Sequence, residues 1–92
     1  MYTFPPFFRA IGHPVRQKII CILHPDKELP VNKLVEELKL SQSTVSHHLS
    51  ILKKANILRA REEGAQTHYS ICCETIASCC ASLQKFFHCK HV

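Results

Sequence analysis

Six cysteines stand in a chain of 92 residues, and five of them follow Ile71. Four of the five form adjacent pairs, Cys72-Cys73 and Cys79-Cys80, set seven residues apart. Thiolates suit soft ions: Cu(I), Zn(II), Cd(II), Pb(II) and, by the same softness, trivalent arsenic or antimony. Cys73, near the start of the last expected helix, should have a lowered thiol pKa, which favours ligation and oxidation alike. Spacing restricts what one ion can do. On a regular helix Cys72 and Cys79 share a face but stand about 10 Å apart, at about 1.5 Å rise per residue. Metal–sulfur bonds of about 2.3 Å need the sulfurs within roughly 4 Å of each other. One ion therefore joins the pairs only if Cys72 and Cys73 lie on a turn that folds back toward the helix, or if two subunits supply the ligands. A redox bridge from Cys72 or Cys73 to Cys79 or Cys80 is a second chemistry, since adjacent cysteines bond to each other only under strain. Simple packing is a third, because Cys is among the most buried residue types. His88, Cys89 and His91 form a further potential ligand set, and His47-His48 has the look of a metal pair.

A second group of side chains makes hydrogen bonds rather than metal bonds. Ser41 to Leu58 reads SQSTVSHHLSILKKANIL. Ser41 suits an N-cap, its hydroxyl accepting from a free N–H of the first turn. Val45, Leu49 and Leu52 form an apolar stripe at helical spacing. The opposite face carries Gln42, Ser43, Thr44, Ser46, His47 and Ser50, short donors and acceptors instead of the long charged residues of an ordinary solvated face. Lys53 and Lys54 close the helix, and Asn56 suits the turn after it. Between Ser41 and Arg61 there are four Lys or Arg and no Asp or Glu. Donors at a helix start with cations behind them fit a helix lying in a DNA major groove. On this basis Gln42, Ser43, Thr44, Ser46 and His47 are candidates for base and nearby phosphate contacts. Lys53, Lys54, Arg59 and Arg61 are candidates for general phosphate contacts. A merely polar surface helix is the alternative.

The elements that must position these groups are legible in order. Met1 to Phe8 is aromatic, and Phe4, Phe7 and Phe8 are free to pack locally or against a second subunit. Pro14 suits the first turn of a helix. The run Ile19 to Leu23 is apolar on every side, which predicts a buried central helix with Cys21 as a small core residue. Asp26-Lys27-Glu28 is a polar turn, and Pro30 begins a helix whose Val31, Leu34, Val35 and Leu38 share a face. Leu40-Ser41 is a tight turn. Ile57 to Arg61 and Gln66 to Ile71 read as strands joined by Glu62-Glu63-Gly64-Ala65, with Gly64 supplying the hairpin's unusual backbone angle. Gln66 and His68 face phosphates in this scheme, while Glu62 and Glu63 turn the tip away. Cys73 to His88 is a helix with Ile76, Cys80, Leu83 and Phe87 in one stripe, suited to meeting its twin across a two-fold axis.

The whole is one mostly α domain with a small β-hairpin (α+β), and a chain this short gains from dimerisation. The formal charge of +5 favours a polyanionic partner. The N-terminus lacks the basic and apolar regions of a secretory signal, and no apolar run approaches membrane-spanning length. The expectation is a cytoplasmic protein with reduced thiols and no membrane partner, in which clustered Cys bind metal or respond to redox state. No nucleophile has an evident base and orienter, so an enzyme or a catalytic cofactor is not expected.

The run LKLSQSTVSHHLSILKKANIL, followed by RAREEGAQTHYSI, closely resembles the winged helix-turn-helix repressors of the ArsR/SmtB family. FRAIGHPVRQKIICIL resembles the family's first core helix, with its small residue, Pro and Arg. The resemblance runs from about Phe7 to Ile71. It implies a homodimer through terminal helices, with a recognition helix at about 41–55, a wing at about 57–71 and a dimer helix at about 74–88. It implies repression at an inverted-repeat operator in double-stranded DNA, with release by a metal or metalloid. The family often carries Cys-x-Cys in an ELCVCDL motif. This chain reads ELPVNKL, with Pro30 and Asn32 at those positions, so that site is absent. Some arsenic-responsive members pair adjacent Cys before the last helix with a third inside it. Mapped here, the resemblance implies Cys72, Cys73 and Cys79, with Cys80 the less favoured replacement. Three sulfurs suit pyramidal As(III), or Sb(III), better than tetrahedral Zn(II). Sulfide, redox or divalent soft-metal sensing through the same cysteines is the alternative. The zinc pattern that some members carry on the last helix is not matched by His88 and His91.

Overall fold

The computed structural model describes residues 6–87, with side chains at all of them except position 79 and positions 82–87. Phe4, His88, Cys89 and His91 lie outside the described residues, as do the side chains of Cys79, Leu83 and Phe87. The order is α1 (Pro6–Ile11), α2 (Pro14–Leu23), β1 (Leu29–Pro30), α3 (Val31–Leu38), α4 (Gln42–Lys54), β2 (Leu58–Glu63), β3 (Gln66–Ile71) and α5 (Cys73–Phe87).

Helices α2 and α4 each begin at a side-chain cap. His13 caps α2, its Nδ1 accepting from the Val15 N–H at 3.1 Å, and Pro14 follows at the first helical position. Ser41 caps α4, its Oγ accepting from the Thr44 N–H at 3.2 Å. Helix α3 stops at Lys39, which takes the left-handed conformation (φ = 57°) and turns the chain toward α4. Helix α4 stops in the same way. Asn56 is left-handed (φ = 61°), its N–H bonds to Lys53 O, and the Ile57 N–H reaches back to Leu52 O. That pair of bonds satisfies carbonyls that a helix end otherwise leaves open.

The core lies where α2, α3 and α4 converge under the sheet. Ile19, Leu23, Leu34, Val45, Leu49, Leu52 and Ile57 are fully buried, with Phe7 and Ala10 of α1 and Leu58 of β2 completing the cluster. Burying one such side chain is worth about 1.5–3 kcal/mol. Truncating a central one, as in Leu49→Ala, is expected to cost about 2–5 kcal/mol.

The strands form an antiparallel sheet in the order β1-β3-β2. The β2–β3 hairpin turns on Gly64 (φ = 62°) and Ala65, with Glu63 opposite Gln66, so the strands extend further into the expected connection than the charges suggested. Leu58, Ala60, Tyr69 and Ile71 alternate onto one face, where Leu58 is buried and Tyr69 and Ile71 pack on the core. Arg59, Arg61, Glu63, His68 and Ser70 take the other face. The third strand is an addition to the expected hairpin. Leu29 pairs with Tyr69 and Pro30 with His68, so Pro30 ends a strand and caps α3.

Cys21 corrects another expectation. It is exposed, on a face of α2 shared with Gln17 and Lys18. Only Ile19 and Leu23 of that helix are fully buried, and Cys21, two residues from each, is turned about 200° away at about 100° per residue. The stripe expected on helix α5 is described at Ile76 and Cys80. Ile76 packs on the core, whereas Ala77, Ser78, Cys80 and Ala81 are exposed. No helix among the described residues is long and apolar enough to cross a membrane.

Arg16 joins three helices. Its Nε donates to His48 Nδ1 of α4 at 3.2 Å, and its Nη1 donates to Ala10 O of α1 at 3.0 Å and to Arg9 O at 3.4 Å. His48 is buried, and its ring lies 4.6 Å from the His13 ring. Burial, helped by the neighbouring His13, Arg16 and His47 side chains, pushes the His48 imidazole below its ordinary value. The neutral ring is the form that accepts from Arg16.

Two outcomes follow from these contacts. The folded state binds a proton at His48 less readily than the unfolded state, so this stability is complete above about pH 6.5, the ordinary histidine value, and is lost as pH falls toward the lowered one. Urea midpoints should therefore drop between pH 7.5 and pH 5.5, and His48→Gln, which keeps an acceptor for Arg16, should remove part of that drop. Asn56→Ala should cost about 1 kcal/mol because Ala resists the left-handed region, whereas Asn56→Gly should be tolerated. For a domain of this size 1 kcal/mol lowers the thermal midpoint by about 4–8 °C.

Candidate nucleic-acid interface and thiol junction

Helix α4 separates its faces cleanly. Val45, His48, Leu49 and Leu52 are buried, while Gln42, Ser43, Thr44, Ser46 and His47 are all exposed. The first turn is organised by its cap. Ser41 Oγ donates to Thr44 Oγ1 at 2.8 Å and lies 3.3 Å from Ser43 Oγ. Thr44 thus has its hydroxyl proton available to a ligand acceptor. The helix N-terminus itself favours an anion such as a phosphate.

Beside this turn is a hollow of about 400 Å³ between α3, α4 and the wing, with Asn32, Gln42, Ser46, Gln66, Thr67 and Tyr69 among its lining. None of the side chains lining it is charged. Asn32, Thr67 and Tyr69 were not among the sequence candidates. Their signal was the short strand at Leu29–Pro30, whose pairing with β3 draws the start of α3 against the wing.

The cations behind this face are differently placed. Lys53 and Lys54 occupy the last turn of α4, about 17 Å from its first at about 1.5 Å per residue. Arg61 is held by Glu28 through two bonds, 3.0 and 2.7 Å, and by Glu63 at 3.2 Å. The Arg61 hydrogen bonds hold the Glu28 carboxyl below its usual range. Arg59 pairs with Glu74 at 2.6 Å. All these groups have solvent access, so the pairs are weak and a phosphate can compete for the guanidinium groups. They do mean that neither wing arginine stands free.

The thiols gather at the start of α5. Cys72 immediately precedes the helix, and the Thr75 Oγ1 donates to its Sγ at 3.3 Å. Thr75, through side chain and backbone, pulls the Cys72 thiol below its ordinary value; partial burial opposes this, and the Arg59 guanidinium adds to it. A lowered thiol is therefore found at Cys72, beside the Cys73 that the sequence had singled out. Cys73 and Cys80 are exposed. The Cys72 N–H donates to Ile57 O at 2.7 Å, continuing the β2–β3 ladder by one step. Ile57 also closes α4 through Leu52 O, so the cysteine backbone is two hydrogen bonds from the end of α4.

Cys72 lies just before α5 and Cys73 is its first residue, so only one of the pair stands off the helix. Cys79 follows seven residues along the same helix, about 10 Å away by rise. Among the described residues no group of three His, Cys, Asp or Glu side chains is placed to hold a metal ion. The His47 and His48 rings lie 5.6 Å apart, edge-on, but His47 is exposed and His48 is committed to Arg16.

Comparison with known proteins places this geometry. Residues 13–60 match the family model described as bacterial regulatory protein, arsR family. The chain is 47% identical over 64 residues to an uncharacterised HTH-type transcriptional regulator of Methanocaldococcus jannaschii, covering 70% of this chain and 72% of that one. It is 32% identical over 69 residues to an arsenic resistance transcriptional regulator of Pseudomonas putida, covering 75% of this chain and 54% of that one. Among solved structures it is similar to HlyU from Vibrio cholerae, with TM-score 0.72 and 29% identity over 91% of this chain and 90% of that one.

The lowered thiol has a direct readout. Site-resolved alkylation of Cys72 by iodoacetamide at pH 7 should slow several-fold in Thr75→Val and to a smaller extent in Arg59→Gln, with the pH profile moved upward in both. Equal rates in the wild-type and Thr75→Val proteins would show that the contact does not set the thiol's reactivity.

Proposed function

The chain belongs to the arsR family of bacterial regulatory proteins, and from that premise we propose that it is a repressor released from its operator by trivalent arsenic or antimony at the thiols beside the wing. That it is a DNA-binding transcriptional regulator and not an enzyme follows from the family. The inducer, the site and the direction of control are the proposal. One observation carries it: a thiol held below its ordinary value caps α5 and is tied by its own backbone N–H to Ile57, where the recognition helix closes.

In this reading α4 lies in the major groove with Gln42, Ser43, Thr44, Ser46 and His47 toward base edges and nearby phosphates. Lys53, Lys54, Arg59 and Arg61 supply general positive charge, the arginines by exchanging Glu28 and Glu74 for phosphate. A homodimer through α5 sets the spacing of two such helices on an inverted repeat; the exposed run at Ala77, Ser78, Cys80 and Ala81 supports it. The protein works in the cytoplasm, where thiols stay reduced.

Arsenite binds by exchange: three thiols lose their protons to the three hydroxyls of As(OH)3, three As–S bonds form and three waters leave, with no change of oxidation state. Cys72 and Cys73 supply two sulfurs. Cys79, too far along one helix to reach the same ion, supplies the third from the second subunit. Engaging Cys72 Sγ removes the acceptor of Thr75 and strains the link to Ile57. A small shift there moves α4 relative to its twin and weakens binding. The same lowered thiol supports a second reading, in which a persulfide or another oxidant modifies Cys72; a divalent soft metal is a further ligand of the same chemistry.

Fluorescence anisotropy on the protein's own upstream DNA separates these. The reduced protein should bind with strong salt dependence, and near-stoichiometric arsenite should weaken binding at least tenfold, an effect absent in Cys72→Ser. Release by a persulfide donor alone would select the redox reading, and release by Cd(II) or Zn(II) alone the divalent one. A complex that none of these dissociates would overturn thiol control.

A further inference from the structure

A hollow of about 420 Å³ lies between α1 and the last turn of α4, within the size range of small-ligand sites, about 300–1,000 Å³. Three cations line it: Arg9, Arg16 and Lys54. No carboxylate does. The chain has only seven acidic residues, and three of them, Glu28, Glu63 and Glu74, are paired with the wing arginines. Arg9, Arg16 and Lys54 make no ion pair among the described residues. Their mutual repulsion is uncompensated at a place where Ala10, Ile51 and Ala55 supply an apolar wall.

Arg16 is already oriented there. Its Nε is held by His48, and its Nη1 by the Ala10 and Arg9 carbonyls, while Nη2 has no partner among the described residues. A guanidinium fixed on one side and open on the other is a prepared anion donor. Arg9 and Lys54 are exposed and free to close on a ligand. The hollow stands at the opposite end of α4 from Gln42, about 17 Å away by helical rise.

We propose that this hollow binds a small organic anion with an apolar body, a carboxylate or phosphate monoester, its head group held by Arg9, Arg16 and Lys54. The apolar body lies along Ala10 and Ile51. Because Arg16 also holds His48 of the recognition helix, an occupant that draws on Arg16 is felt in α4. The site is separate from the cysteines, so it stands or falls independently of the thiol reading.

The test uses the full chain and three probes: octanoate, octyl phosphate and inorganic phosphate. The observable is the Arg16 Nε–H resonance in ¹H–¹⁵N spectra. A saturable shift with octanoate or octyl phosphate is expected, the better of the two identifying the head group, with at least fivefold weaker binding in the double variant Arg9→Gln/Lys54→Gln. Both positions are exposed, so the variant should keep the wild-type thermal midpoint. Absence of saturation with either amphipathic probe would overturn the proposal. So would an equal response to inorganic phosphate, which would mean charge alone, or unchanged affinity in the double variant. Lys54 also belongs to the phosphate contacts proposed above, so the double variant is read on probe affinity alone and not on operator binding.

Discussion

The bond from Arg16 to the buried ring of His48 is the constraint on which the rest of the arrangement depends. Small domains have thin cores, and this one fixes α4 partly with a polar knot. Arg16 binds the Ala10 carbonyl at the end of α1, and its Nε bonds to α4. A buried imidazole without that donor would leave an unsatisfied acceptor, at a cost of about 1–3 kcal/mol. The knot therefore fixes the rotation of α4 as well as its position. With His48 turned inward, Val45, Leu49 and Leu52 must face the core, and the short polar residues must face out.

The other end of α4 is fixed differently. Asn56 allows the left-handed turn that lets Ile57 return to Leu52, and Ile57 then begins the ladder that ends at Cys72. A helix gripped near its middle and at its C-terminus moves largely as a rod. Its N-terminal turn carries the exposed Gln42, Ser43 and Thr44 but is not itself held by the core, apart from Val45. This division suits a groove-reading element, because the contacts that maintain it are not those offered to a ligand.

Periodicity made much of this legible. The stripe of Val45, Leu49 and Leu52 and the Ser41 cap needed only a 3.6-residue repeat and a hydroxyl, and Gly64 marked the hairpin. What escaped were features set by contacts distant in sequence. The strand at Leu29–Pro30 is two residues long and exists only because β3 is there to pair with it. Cys21 sits in an apolar run, yet nothing covers its side of α2 among the described residues. Arg59 and Arg61 read as free cations because Glu74 and Glu28 lie 15 and 33 residues away in sequence. For the thiols, sequence could name the pairs but not the cap. Whether Cys72 or Cys73 takes that position depends on where β3 ends, and one residue of register decides which thiol Thr75 meets.

These placements give the cysteine junction and the cationic hollow a common target. Cys72 is joined to the closing turn of α4 through Ile57, and Arg16 is joined to α4 through His48. Neither input touches the donors of the first turn. A regulator built this way can change its recognition chemistry very little while altering the angle at which that chemistry is presented. The wing then adds a condition of its own. Arg59 lies between Glu74 and the Cys72 thiol, so a thiolate that gains a ligand or an oxygen loses some of its claim on the guanidinium. That change alters the charge the wing offers to phosphate at the same moment as the strain on Ile57 alters the helix. Under the proposed reading the two effects share one sulfur, which is why control can be concentrated at Cys72 instead of being spread across the cysteine cluster.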